Sequence, residues 1–228
     1  MNGTKTVMNG LLKCTKNAII QFDWGEGKMR EFEKLMRMAR EAESKMSEGL
    51  FDAAEEMLAQ ELSLCASFLE NPALPRAVVQ TVKSLHNRAV NHLSAVLYFS
   101  YADSPRIVDL LKQSVCTDSA TLSILGISLF RTCAVPAAHA ALLKAYQLRE
   151  TVLNAEDWQQ TAFTDGMLRL SALLRDGLAP DHRPNPEMAL EVLRNTLKVI
   201  TDQDMVYVLL HELNCRGRIA RPDLRVIG

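Results

Sequence analysis

Two side chains one helical turn apart are the first candidates for chemistry. In Asn87-Arg88-Ala89-Val90-Asn91-His92, residues Arg88 and His92 share one side of a helix, because positions four apart are neighbours there. A histidine can give or take a proton near neutral pH, and a guanidinium can hold a phosphate. The pair could therefore run acid–base chemistry; the same spacing also suits an ordinary solvated helix face. A second constellation is His211-Glu212 with Cys215, where a His and a Cys four apart could offer zinc two ligands from one face. Two ligands do not make a site, and no other Cys/His cluster accompanies them, so the expectation is no metal and no cofactor. No G-x-S-x-G elbow and no usable carboxylate pair stands out, and Gly25-Glu26-Gly27 reads as a turn between helices. No residue is assigned a catalytic role.

The elements that must position these residues are helical. Met29, Phe32, Leu35, Met36, Ala39, Ala42 and Met46 form an apolar stripe at three- and four-residue steps, ended by Ser47-Glu48-Gly49. Ala53, Ala54, Met57, Leu58, Leu62, Cys65, Phe68 and Leu69 mark a second helix. Asn71-Pro72 and Leu74-Pro75 break the chain, since a residue before proline is pushed out of helical geometry. A long helix is expected from about Pro75 to Phe99, carrying Arg88 and His92. Capping signals at Ser104-Pro105, Asn154…Asp157 and Asn185-Pro186 then predict helices near 105–115, 119–133, 136–150, 155–176, 186–200 and 203–215. With an amphipathic first helix along Met8, Leu11, Leu12, Thr15, Ile19 and Phe22, that makes about ten helices and no strand pattern. Methionines 29, 36, 38, 46 and 57 read as core filler at helical spacing.

Composition agrees with a globular helical protein. The chain has 228 residues, 48% apolar and 23% charged, which excludes disorder and collagen-like sequence. A net charge of -1 does not point to a general polyanion binder. Only the stretch 71–150 is basic, with eight Lys/Arg against four Asp/Glu, and a short basic tail holds Arg216, Arg218, Arg221 and Arg225. Five scattered cysteines with no C-x-x-C pair read as reduced thiols, so a cytoplasmic location is expected, and no run of apolar residues is long enough for a membrane helix.

The segment Ser119–Val152 carries a resemblance. Leu125-Gly126, Leu129, Ala138, Leu142 and Ala145 fall where a tetratricopeptide repeat places its Leu-Gly, its large first-helix residue, and its second-helix Ala, large residue and Ala. Frames on Leu35–Phe68 (Ala42, Gly49, Phe51, Ala54, Leu58), from Arg88 (Ala95, Tyr98, Ile107, Leu111) and near 163–200 (Ala172, Ala189, Leu193) follow the same pattern, the last with Gly177–Pro184 as an insertion. The repeat-end proline is absent, with Glu150 in its place, and Leu122 replaces the family's tryptophan. The sequence thus resembles the tetratricopeptide-like family, in degenerate form. The Arg88…His92 segment is separately similar to the Arg…His motif of HEPN-type ribonucleases, with fewer intervening residues than that family uses.

The resemblance implies an all-α fold of stacked antiparallel hairpins in a right-handed superhelix. Residues 1–34 would be an N-terminal helical segment, 35–200 the repeat domain, and 201–228 a C-terminal helix with a basic tail. It further implies a non-enzymatic scaffold or adaptor that binds a peptide, helix or partner subunit on its concave face. The inward residues of the first helices would be Arg88, His92, Phe99, Ser123, Ile127, Phe130 and Arg131, and their positive charge would suit an acidic protein segment. Membership of a larger complex is the related expectation, and an RNA-directed helical protein using Arg88 and His92 is the alternative.

Overall fold

The computed structural model of the chain describes residues 25–100, 104–177 and 185–198. Among them 83% are helical and none is in a strand. Eight α-helices follow in order: α1 Gly25–Ser47, α2 Phe51–Leu69, α3 Arg76–Phe99, α4 Ser104–Leu111, α5 Ser119–Arg131, α6 Val135–Gln147, α7 Asp157–Asp176 and α8 Pro186–Leu197. A 3-10 turn at Arg149–Val152 leads out of α6. The expected helices along Met8–Phe22 and at 203–215 lie outside the described residues, as do His211, Cys215 and the basic tail.

Several boundaries follow from local chemistry. The turn after α1 needs Gly49, whose φ is +75°, and α2 starts at once beyond it. Asp118 caps α5 by accepting from the Thr121 amide at 2.8 Å, a cap the sequence reading missed. Asn185 caps α8 as expected, accepting from the Met188 amide at 3.0 Å with Pro186 beside it. Gly25-Glu26-Gly27 is not a turn but the opening of α1. The fourth helix stops at Leu111 instead of running to 115, because Asn87 of α3 grips the Val115 backbone at both its amide (2.7 Å) and its carbonyl (3.1 Å). A carbonyl and an amide held that way are not free to continue a helix.

The chain divides into two compact units, one of Met1–Thr117 with Asn154–Trp158, the other of Asp118–Leu153 with Gln159–Gly228. Helix α1 runs unbroken through residue 34, where a segment boundary was expected.

In the first unit α1 packs on α2, α2 on α3 and α3 on α4. Its core joins Phe32, Leu35, Met36 and Ala39 of α1 to Cys65 and Phe68 of α2 and to Val78, Val82 and Leu85 of α3. Phe32 meets Phe68 edge-on, with ring centroids 5.9 Å apart. Met36, Met38 and Met46 are buried, as expected of core filler.

In the second unit α5 packs closely on α6. A Cβ on Gly126 would stand 2.6 Å from Leu142 Cγ and 3.2 Å from the Ala138 carbonyl oxygen, so only glycine permits this approach. Gly166 of α7 meets Ser123 of α5 as closely: a Cβ on Gly166 would stand 2.6 Å from the Ser123 Cβ. Helix α8 lies on α6 through Leu193 against Leu143 and through His139 Nε2 against Thr196 Oγ1 at 2.8 Å.

Within each unit, helices that are not neighbours in the chain also touch. In the first unit, α1 meets α3 through Glu43 and Arg88, and α2 meets α4 through Glu55 and Arg106 at 3.7 Å. In the second, α5 meets α7 at Ser123 and Gly166, and α6 meets α8 at His139 and Thr196. Of the repeat-frame residues, Ala42, Ala54, Leu58, Ala95, Leu111, Ala138, Leu142, Ala145, Ala189 and Leu193 are buried, whereas Gly49 is exposed and Phe51, Leu125, Leu129 and Ala172 are half-buried.

Candidate functional site

The segment Asn87–His92 of α3 is where the most polar chemistry converges. Its four polar side chains divide among three directions. Asn87 holds Val115, and Asn91, one turn later, accepts through Oδ1 from the Ser114 hydroxyl at 3.0 Å. Those two amides anchor the chain leaving α4. Arg88 turns the other way. Its Nη2 donates to Glu61 Oε1 of α2 at 3.2 Å, and its Nη1 stands 3.7 Å from Glu43 Oε2 of α1. One guanidinium thus ties α3 to both helices of the first hairpin. His92 meets the ring of Trp158 edge-on, with centroids 5.7 Å apart, and Trp158 donates its indole N–H to Glu156 at 2.9 Å.

The burial of this junction sets its electrostatics. The Glu61 side chain is fully enclosed, while those of Arg88 and Glu43 retain 20% and 23% exposure. Burial pushes the Glu61 carboxyl up to about 7; the Arg88 charge opposes this only in part, and Glu43 adds to it. Cys65, one turn beyond Glu61, is pushed up to about 12 by burial and by Glu61, so it stays a thiol and is no nucleophile at neutral pH. His92 is driven down to about 3 by burial and then by the Arg88 charge. An imidazole so placed is neutral at physiological pH and a weak base, and the arginine beside it already carries two carboxylates. The arrangement fastens helices; acid–base work on RNA would need a protonatable imidazole and an open cation.

The remaining candidates are scattered. Phe99 is half-buried at the end of α3, stacked on Phe51 of α2 with centroids 5.4 Å apart. Ser123, Ile127 and Phe130 of α5 are buried in the second unit and offer no surface to a ligand. The reason is that α5 is covered both by α6 and by α7: Gly166 lies on Ser123, and the Arg169 guanidinium lies 4.5 Å over the Phe130 ring. Arg131, at the last turn of α5, is exposed. Arg88 belongs to the first unit and Arg131 to the second. Among the described residues no group of three or more His, Cys, Asp or Glu is placed to hold a metal ion. None of the described helices is long and apolar enough to cross a membrane.

Sequence reasoning missed Glu61, Glu43, Asn87 and Asn91. A signal for Glu61 was present. The buried positions of α2 are Ala54, Leu58, Glu61, Cys65 and Phe68, a continuous run of three- and four-residue steps. A carboxylate on a core step demands a buried cation on a neighbouring helix. Comparison with family models, with curated proteins and with solved structures found no match.

Proposed function

We propose that this chain is a non-enzymatic interaction module, a scaffold or adaptor whose stacked hairpins hold a peptide, a helix or a partner subunit. The observation that supports the reading is the set of contacts between alternate helices inside each unit, α1 with α3, α2 with α4, α5 with α7 and α6 with α8. Hairpins stacked in that way bury the inner side of each layer and leave the outer side open, which is how tetratricopeptide-like superhelices present a binding face. In the second unit that outer side includes Leu168, 66% exposed on α7, with Thr161, Thr164 and Arg175 at helical steps from it. Arg131 stands exposed at the end of α5, and a cation there suits an acidic segment. The commitment of Arg88 and His92 to helix packing supports a non-enzymatic role.

The test starts from the full chain. A partner recovered from the native source is purified and the complex is rebuilt from the two pure proteins. Arg131→Glu with Leu168→Asp should weaken that complex at least tenfold while the circular dichroism melt stays unchanged, as expected for exposed positions. Undiminished binding would refute the face. Cleavage of RNA by the pure chain, lost on His92→Ala, would refute the non-enzymatic reading and favour the ribonuclease.

A further inference from the structure

Three features of the described residues stand outside the proposed function. Cys133 is exposed with φ +64°, but it is a lone cysteine at a helix end. The half-open apolar residues Met188, Leu190 and Leu197 on α8 have nothing beside them that indicates an occupant. The junction of Glu61, Arg88 and Glu43 is different, because its geometry is chemically unbalanced. Two carboxylates on two helices face a single guanidinium on a third, so with both ionised the junction holds one negative charge in excess. The excess cannot be screened by water at Glu61, whose side chain is fully enclosed. Glu61 Oε1 receives Arg88, while Oε2 has no hydrogen-bond partner among the described residues.

We propose that this junction is a proton-operated fastener: Glu61 takes up one proton from solvent to seal the seam between α2 and α3, and gives it back when the seam loosens. The proton forms an O–H bond on the carboxylate and no other bond changes. Protonated, Glu61 adds no charge, and the three side chains are together neutral. Ionised, it carries the excess charge, and the seam relieves that charge by opening Glu61 to water. Among the described residues, the charges acting on Glu61 are Glu43 from α1 and Arg88 from α3, with Cys65 one turn along its own helix. Glu43 favours proton uptake and Arg88 opposes it. His92 is held neutral and responds on the acid side in the opposite sense, so the fastener is read against a variant that keeps His92.

The direction follows from linkage. In the closed seam Glu61 releases its proton at about 7, and in the open seam at the ordinary carboxylate value, 4.5. Between those values the closed form holds a proton that the open form has lost, so opening gains tenfold for each pH unit gained and levels off above about 7. The experiment is native-state hydrogen exchange of the α2 and α3 amides in the full chain, corrected for intrinsic rates, for wild type and Glu61→Gln. The ratio of their opening constants should rise about tenfold per unit from about pH 5 to 7, then flatten. A ratio independent of pH would overturn the proposal. A second measurement needs no variant to fold: carbon-13 titration of the wild-type carboxyls. One glutamate titrating near neutrality, and moving lower in Glu43→Gln, supports the fastener; all glutamates titrating in the ordinary range would overturn it.

Discussion

Gly126 and Leu142 provide the sharpest test of the packing between α5 and α6. A methyl at position 126 would lie 2.6 Å from Leu142 Cγ and 2.7 Å from its Cδ2. Carbon pairs sit best about 3.5–4.0 Å apart, so Leu142 would have to retreat by about 1 Å. It has nowhere to go, being fully buried, and the Ala138 carbonyl 3.2 Å away is backbone. Gly126→Ala gains up to about 1 kcal/mol of helix propensity. Overpacking costs about 1–3 kcal/mol, so the net should be a loss of about 0–2 kcal/mol. Leu142→Ala alone removes a buried side chain and should cost about 2–5 kcal/mol. In the double variant the new methyl enters the space that Leu142 vacates. The two changes should then couple favourably, by about 0.5–3 kcal/mol. Urea unfolding followed by far-ultraviolet circular dichroism measures all four corners, with exchange of α5 and α6 amides locating the effect in the second unit. Additive changes, or a Gly126→Ala variant stabilised by its full propensity gain, would refute the close crossing.

Further consequences concern the junction. Arg88→Met leaves Glu61 buried beside Glu43 without its cation, and should cost about 3–5 kcal/mol at pH 8, as breaking a buried pair does. The cost should shrink at pH 5, where Glu61 is protonated, and denaturant titrations at both pH values check this. His92 is held neutral with its value lowered to about 3, so the folded state loses stability as pH falls below the unfolded value of 6.5. His92→Gln lacks that loss, and its melting temperature relative to wild type should climb as pH falls from about 6.5 towards 4, by an amount that thermal melts at stepped pH will read.

Much of the fold was legible because it depends on local rules. Proline and glycine stops, apolar steps and the Asn185 cap are properties of a few neighbouring residues, and they placed α2, α3, α5 and α8 within a few residues of their observed bounds. The close crossing at Gly126 was legible too, since glycine inside a helix needs a packing reason. The early end of α4 was not, because the cause is Asn87, 28 positions away from Val115. The burial of Ser123, Ile127 and Phe130 was likewise out of reach. A repeat frame assigns the first helix of a pair one covered side and one open side, whereas α5 is covered by α6 and by Gly166 and Arg169 of α7.

The same limit explains the Arg88…His92 pair. Helical spacing puts the two residues on one side of α3 whichever role they play, so spacing cannot separate a phosphate-binding arginine from a structural one. What separates them is the charge that neighbouring helices bring within reach. Glu61 comes from a core step of α2, and Glu43 from the last turns of α1, and together they consume the cation. A sequence reading that searched apolar stripes for interrupting charges, rather than motifs for reactive ones, would have paired Glu61 with an arginine on a neighbouring helix. Arg88, in the middle of the longest of the described helices, was the natural choice. The basic character of residues 71–150 then reads differently as well. At Arg88 and Arg106 it serves contacts with acids of α1 and α2 inside the first unit.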